Sequence, residues 1–97
     1  MARYDLFQDG DDYLLDVQAD TVDGLNTRVV VPVQRPELAP KPGARLNPIF
    51  TIQGNRYVMV TQFLSAIPAS ELRLPVANLN RHHDEIVSAL DMLFQGY

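Results

Sequence analysis

The sequence predicts a mainly β (α+β) fold, about five antiparallel strands finished by one C-terminal α-helix. Three observations carry this reading. Short apolar runs alternate at period two and are separated by Gly/Asp/Asn turns. An amphipathic stripe at helical spacing occurs only at the end of the chain, and strands and helices do not alternate as they would in a parallel sheet.

Residues 4–8 form a short first strand that runs into Asp9-Gly10-Asp11-Asp12, where Asp-Gly supplies the positive φ of a tight hairpin. Residues 13–20 follow as a second strand. Leu15, Val17 and Ala19 point one way, and Leu14, Asp16, Gln18 and Asp20 form an opposite row expected to face solvent. After a loop with Gly24 and Asn26, residues 27–33 carry Val29, Val30, Val31 and Val33, a β-branched run expected to be central, with Pro32 near its end. Residues 34–43 hold Pro36, Pro40, Pro42 and Gly43 without apolar period and read as a loop.

Residues 49–53 alternate Phe50 and Ile52 against Ile49 and Thr51. Gly54-Asn55 is taken as the hairpin turn, and residues 56–63 return as a strand. In residues 64–79, Ile67-Pro68 and Leu74-Pro75 disfavour a continuous helix and leave room for one helical turn over 68–72. The final helix takes Asn80 as its N-cap and Asp84 and Glu85 near its first turn. Its stripe is Ile86, Val87, Leu90, Leu93 and Phe94, and Gly96 is its stop.

Length and composition narrow the function. At 97 residues and 46% hydrophobic, residues 1–97 read as one domain whose function sits on a surface or an interface. With no cysteine, no apolar run of membrane-spanning length and a polar N-terminus, the cytoplasm is the expected location and no membrane contact is expected. A net charge of −4 argues against direct nucleic-acid binding, and with seven of the twelve acids at or before Asp23 the N-terminal region reads either as an attraction for a basic partner segment or as a solvated loop kept soluble by its aspartates. His82 and His83 are adjacent and point about 100° apart on a helix, so they form no recognised metal site and no cofactor is implied. Ser65, Ser70 and Ser88 lack the surroundings of a nucleophile, so no catalytic residue is assigned.

Seven colinear fragments resemble the CcdB family. They are Asp16-Val17-Gln18-Ala19-Asp20, Arg28-Val29-Val30-Val31-Pro32-Val33, Leu46-Asn47-Pro48, Val58-Met59-Val60-Thr61, Ile67-Pro68, Val76-Ala77-Asn78-Leu79 and Phe94-Gln95-Gly96-Tyr97. The resemblance implies an SH3-like barrel or roll and a homodimeric, non-enzymatic toxin of a toxin-antitoxin module. Such a toxin binds the DNA gyrase A polypeptide and traps the cleaved gyrase-DNA complex. A CcdA-like antitoxin neutralises it, and DNA contact and operon repression belong to the toxin-antitoxin complex. By position, the gyrase-binding residues are Thr21 and Val22 in a loop and Asp91, Phe94, Gln95, Gly96 and Tyr97 at the chain end. The best-known members carry tryptophan where this chain has Gln95 and isoleucine where it has Tyr97. Antitoxin contacts are expected at Asp9, Gly10, Asp11 and Asp12 and, in the proline-rich loop and just after it, at Pro40 and Arg45. A second function class is a MazF- or Kid-like messenger-RNA endoribonuclease using Arg28 or Arg56, and a third is a degenerate toxin that keeps only its antitoxin-binding surface.

Overall fold

A computed structural model describes residues 1–22 and 24–97; Asp23, in the loop expected after the second strand, lies outside the described residues. The chain runs β1 (Asp5–Asp9), β2 (Asp12–Asp16), β3 (Thr27–Gln34), β4 (Ile49–Ile52), β5 (Asn55–Met59), β6 (Ser65–Pro68), β7 (Ala77–Asn78) and α1 (His83–Gln95), with short 3-10 turns between several of them. The strands make one antiparallel sheet in the order β4-β5-β3-β2-β1-β7, with β6 also on β3. It curls into a half-barrel with the C-terminal helix packed on it, as the sequence predicts.

The curl originates in β3. One edge of this strand pairs with β2 over Val30 to Val33, while the other pairs first with β6 over Thr27 to Val30 and then with β5 at Val33 and Gln34. The change of partner falls at Pro32. Its carbonyl accepts the Val60 N–H (2.9 Å), and the N–H that a proline lacks would point to that same edge. A proline is therefore tolerated inside a central strand, not merely at its end.

The two faces of the sheet are both apolar. Leu6, Leu15, Val31, Val33, Phe50, Met59, Ile86 and Ala89 belong to the main core, and Phe7, Val30 and Leu72 form a second cluster with Leu14 and Ile67 packed against it. Successive residues such as Leu6 and Phe7 thus serve opposite faces. Val30, Val31 and Val33 are buried within one protomer, and Val29 is half-buried against the main core.

Four local expectations are corrected. β2 stops at Asp16, although Val17 still bonds its N–H to the Val29 carbonyl at 3.0 Å. Its supposed solvent row turns inward, since Asp16 and Gln18 are buried. The β4–β5 turn is Gln53-Gly54, one residue earlier than expected, with φ of 51° and 82° and Ile52 opposite Asn55. That pair of positive angles is the two-residue hairpin geometry whose twist suits the strands. Finally, β5 ends at Met59 and a 3-10 turn over Thr61–Phe63 follows; the Thr61 hydroxyl donates to the Leu46 carbonyl, which turns the chain. The helical turn expected near residues 68–72 is a 3-10 turn at Ala69–Glu71, and β6 and β7, too short for a periodicity to register, flank it.

Candidate functional site

The chain end is built on α1. A 3-10 turn at Asn80–His82 precedes it, in which the Asn80 N–H donates to the Asn78 side-chain oxygen (2.9 Å); the N-cap of α1 is His82, without a side-chain capping bond, and not the expected Asn80. Asp84 and Glu85 lie in the first turn, where carboxylates favour the positive end of the helix dipole. At the other end Gly96 adopts φ 80° and returns its N–H to the Met92 carbonyl at 3.1 Å, the left-handed stop for which glycine is suited.

The stripe that looks uniform in sequence divides. Ile86 and Ala89 are fully buried and Leu90 packs against the core, whereas Val87 and Leu93 are only half-buried. Phe94 and Tyr97 are 68% and 74% exposed. Of the expected gyrase-binding residues, Gln95 donates from Nε2 to the Asp91 carboxylate (3.2 Å) one helical turn back, so the two form one polar pair beside the exposed Phe94.

Thr21 and Val22 occupy a 3-10 turn at Asp20–Val22 and are exposed. A buried polar array holds this turn from beneath. Gln18 accepts the Val29 N–H on Oε1 (3.0 Å) and donates from Nε2 to the Val22 carbonyl (2.7 Å). Asp16 accepts the Gln18 N–H (3.0 Å) and the Arg28 Nε–H (2.7 Å), in an ion pair with both side chains at most 1% exposed. The turn and α1 are fixed separately; no hydrogen bond or ion pair joins them among the described residues. Sequence reasoning missed this array, although an Asp-x-Gln row on one strand and an arginine opening an apolar strand were its visible signals.

The same array removes Arg28 from the ribonuclease alternative. Buried and engaged by Asp16, it cannot meet RNA. Nor does the sheet bring it to Arg56. Since Val33 lies opposite Met59, position 56 extrapolates to opposite position 36, eight residues from Arg28 and on the order of 25 Å away.

The expected antitoxin residues are anchored to two different elements. Asp9, Gly10, Asp11 and Asp12 lie at the β1–β2 hairpin, with Gly10 at φ 63°. Asp12 takes both the backbone N–H and the Nε–H of Arg35 (3.0 and 3.2 Å), and Asp11 stands 3.8 Å from the same guanidinium. Arg35, unassigned in the sequence reading, thus ties the hairpin to the start of the proline-rich loop. Pro40 is exposed, and Arg45 donates from Nε to the Ser88 hydroxyl of α1 (2.6 Å) at the edge of a 370 Å³ hollow.

The two histidines serve the fold. His82 pairs through Nδ1 with Glu85 (3.0 Å) and its ring lies 4.7 Å from that of Phe50, while His83 Nδ1 shares a hydrogen bond with the Tyr4 hydroxyl. Burial raises the pKa of Tyr4, with Arg3 opposing and Asp20 and Asp84 adding; burial likewise raises that of Tyr13, with Tyr57 adding. Among the described residues no three acids or histidines are placed to hold a metal ion, and no helix is long and apolar enough to cross a membrane.

The described residues present an exposed aromatic helix end, an exposed turn held by a buried polar array, and an acidic hairpin. A family model described as CcdB protein matches residues 3–96 of the 97, all but the first two residues and the last. With the half-barrel and terminal helix described above, this match over nearly the whole chain establishes that the protein belongs to the CcdB family of toxin-antitoxin toxins.

Proposed function

We propose that this chain acts by binding, not catalysis: as a homodimer it engages the DNA gyrase A polypeptide through Thr21, Val22, Asp91, Phe94, Gln95, Gly96 and Tyr97, and traps the cleaved gyrase-DNA complex in the cytoplasm. A CcdA-like antitoxin neutralises it through the acidic hairpin and the proline-rich loop. The observation that carries the reading is the division of the α1 stripe. Residues that need only hold the helix to the sheet, Ile86 and Ala89, are buried, while Phe94 and Tyr97 are left in water beyond them. Exposed aromatics at a chain end are costly to leave uncovered and are favoured anchors of interfaces. Val87 and Leu93, half-buried beside them, extend the same apolar flank and supply a two-fold contact surface.

At this surface Gln95 works differently from a tryptophan. It offers hydrogen bonds and no cation–π face to an arginine of the target, so the aromatic contact passes to Tyr97. Supercoiling and DNA-cleavage assays with gyrase from the source organism test the proposal. Gyrase is expected to accumulate cleaved DNA with the parent protein, more with Gln95→Trp, and none with residues 95–97 deleted while the dimer persists. A truncated dimer that still poisons gyrase at parental potency refutes the site, and a parent protein that leaves gyrase unaffected refutes the function.

A further inference from the structure

On the face of the sheet away from the main core, a groove of about 710 Å³ opens between β1, β2, β6 and the segment after the 3-10 turn at Ala69–Glu71. Its floor is the second apolar cluster: Phe7 and Leu72 are buried, and Leu14 and Ile67 half-buried. At its mouth stands Leu74, 85% exposed, the most exposed of the large apolar side chains described. The cluster is thus roofed on one side only. A small apolar core that ends in an open groove with a leucine in water is the form of a surface completed by a partner.

The chemistry of that partner follows from the edges and the charges. β2 is paired along both edges, and β7 covers β1 only at Asp5 and Leu6, so the strand edge open beside the groove is no more than the short stretch Phe7–Asp9 and the side edge of β6, and side chains carry the discrimination between ligands. Asp9 and Glu71 line the groove and Asp11 projects from the adjoining hairpin turn, its side chain 84% exposed; Arg73 is the single cation in the lining. Neither Asp9 nor Glu71 forms an ion pair among the described residues.

We infer that this groove docks a peptide segment of basic, leucine-anchored character, its apolar side chains on Phe7, Leu14 and Ile67 and its cations on Asp9, Asp11 and Glu71. Assigning that segment to the antitoxin rests on the function proposed above, which already places the antitoxin at the hairpin. What the groove adds is an apolar anchoring site and a charge rule: an acidic segment of the same shape is repelled, so the hairpin selects among antitoxins.

Two short synthetic peptides with identical leucine spacing, one carrying lysines and the other glutamates between them, test this by NMR titration of the full-length protein. The lysine peptide is expected to shift the amides of Phe7, Leu14 and Ile67 and to bind about tenfold or more tighter than the glutamate peptide, less so at high salt. Glu71→Lys should erase that preference, and Leu74→Ser, which removes the apolar side chain without adding charge, should weaken both peptides. Arg73→Glu should tighten the lysine peptide, a gain that misfolding cannot produce. Equal affinities, shifts confined to other surfaces, or no binding of either peptide overturn the inference. Because the readout is peptide affinity, a protein that shows the lysine preference but leaves gyrase untouched refutes the toxin function and leaves the groove standing.

Discussion

Replacing Asp16 by alanine removes an ion-pair partner of a guanidinium that has almost no access to water. Arg28 is 1% exposed, its Nε–H lies 2.7 Å from the Asp16 carboxylate, and the second carboxylate oxygen takes the Gln18 N–H. Removing one member of a buried pair costs about 3–5 kcal/mol, because the remaining charge keeps its desolvation penalty without its compensation. Against a total stability of roughly 5–15 kcal/mol for a domain of this size, that is about a fifth or more of the whole. With a urea m-value of about 1.5 kcal/mol/M, the unfolding midpoint should fall by roughly 2–3 M, measured at fixed protein concentration because association contributes to stability.

The pair is separated from its surroundings by the double variant Asp16→Leu/Arg28→Met, which removes both charges and refills the space with apolar side chains. Such replacements are often neutral or stabilising, so the double variant should recover most of the loss. The array also supports function, since Gln18 links this carboxylate to the Val22 carbonyl. Hydrogen exchange in residues 19–22 should therefore rise in Asp16→Ala while the β4–β5 hairpin stays protected. If Asp16→Ala costs less than about 1 kcal/mol, the pair is solvated in solution and the account of how the turn is held fails.

Other outcomes follow from the same structure. Ile86→Ala should cost about 2–5 kcal/mol in chemical denaturation, whereas Phe94→Ala, at a residue 68% exposed, should stay within about 1 kcal/mol; equal costs would mean that the helix stripe is not divided. Gln53→Asn should raise the melting temperature by a few degrees, since asparagine tolerates the φ of 51° that glutamine holds under strain, and an unchanged or lower value would contradict the turn geometry. The raised pKa values of Tyr4 and Tyr13 mean that the native state holds these protons more tightly than the unfolded chain, so their contribution is full below about pH 10 and is lost as pH rises through the folded-state values. In spectrophotometric titration Tyr4→Phe and Tyr13→Phe should each remove a phenol that ionises above its ordinary range, and variants that remove only an ordinary ionisation would take away the basis for that alkaline instability.

What the sequence made legible was whatever depends on local period. The β1–β2 hairpin, the β-branched β3, the alternation of Phe50 and Ile52 and the glycine stop of α1 are each set by a few neighbouring residues, and each is found where the spacing puts it. β6 and β7, of four and two residues, exist only because β3 and β1 offer them an edge, and no window of their own sequence can show this. Asp16 fails for a related reason. Alternation assigns a polar residue to the wet face, but when an arginine on the adjoining strand arrives at the same spot, pairing makes the buried position tolerable.

The distinction that matters most for function is also the one periodicity cannot make. Ile86, Leu90 and Phe94 stand at successive helical turns on one side of α1, and a hydrophobic stripe gives all three the same role. Their fates separate because the core ends along α1: it takes in Ile86, Leu90 packs against it, and the Phe94 ring is left exposed. Leu74 behaves similarly: it lines the same groove as Ile67 and Leu72 but lies outside the second cluster and is left exposed. In both places apolar character continues beyond the surface that justifies it. A sequence under no demand but solubility would have become polar at those points, so the residues that overrun the core are the ones to test first for a partner.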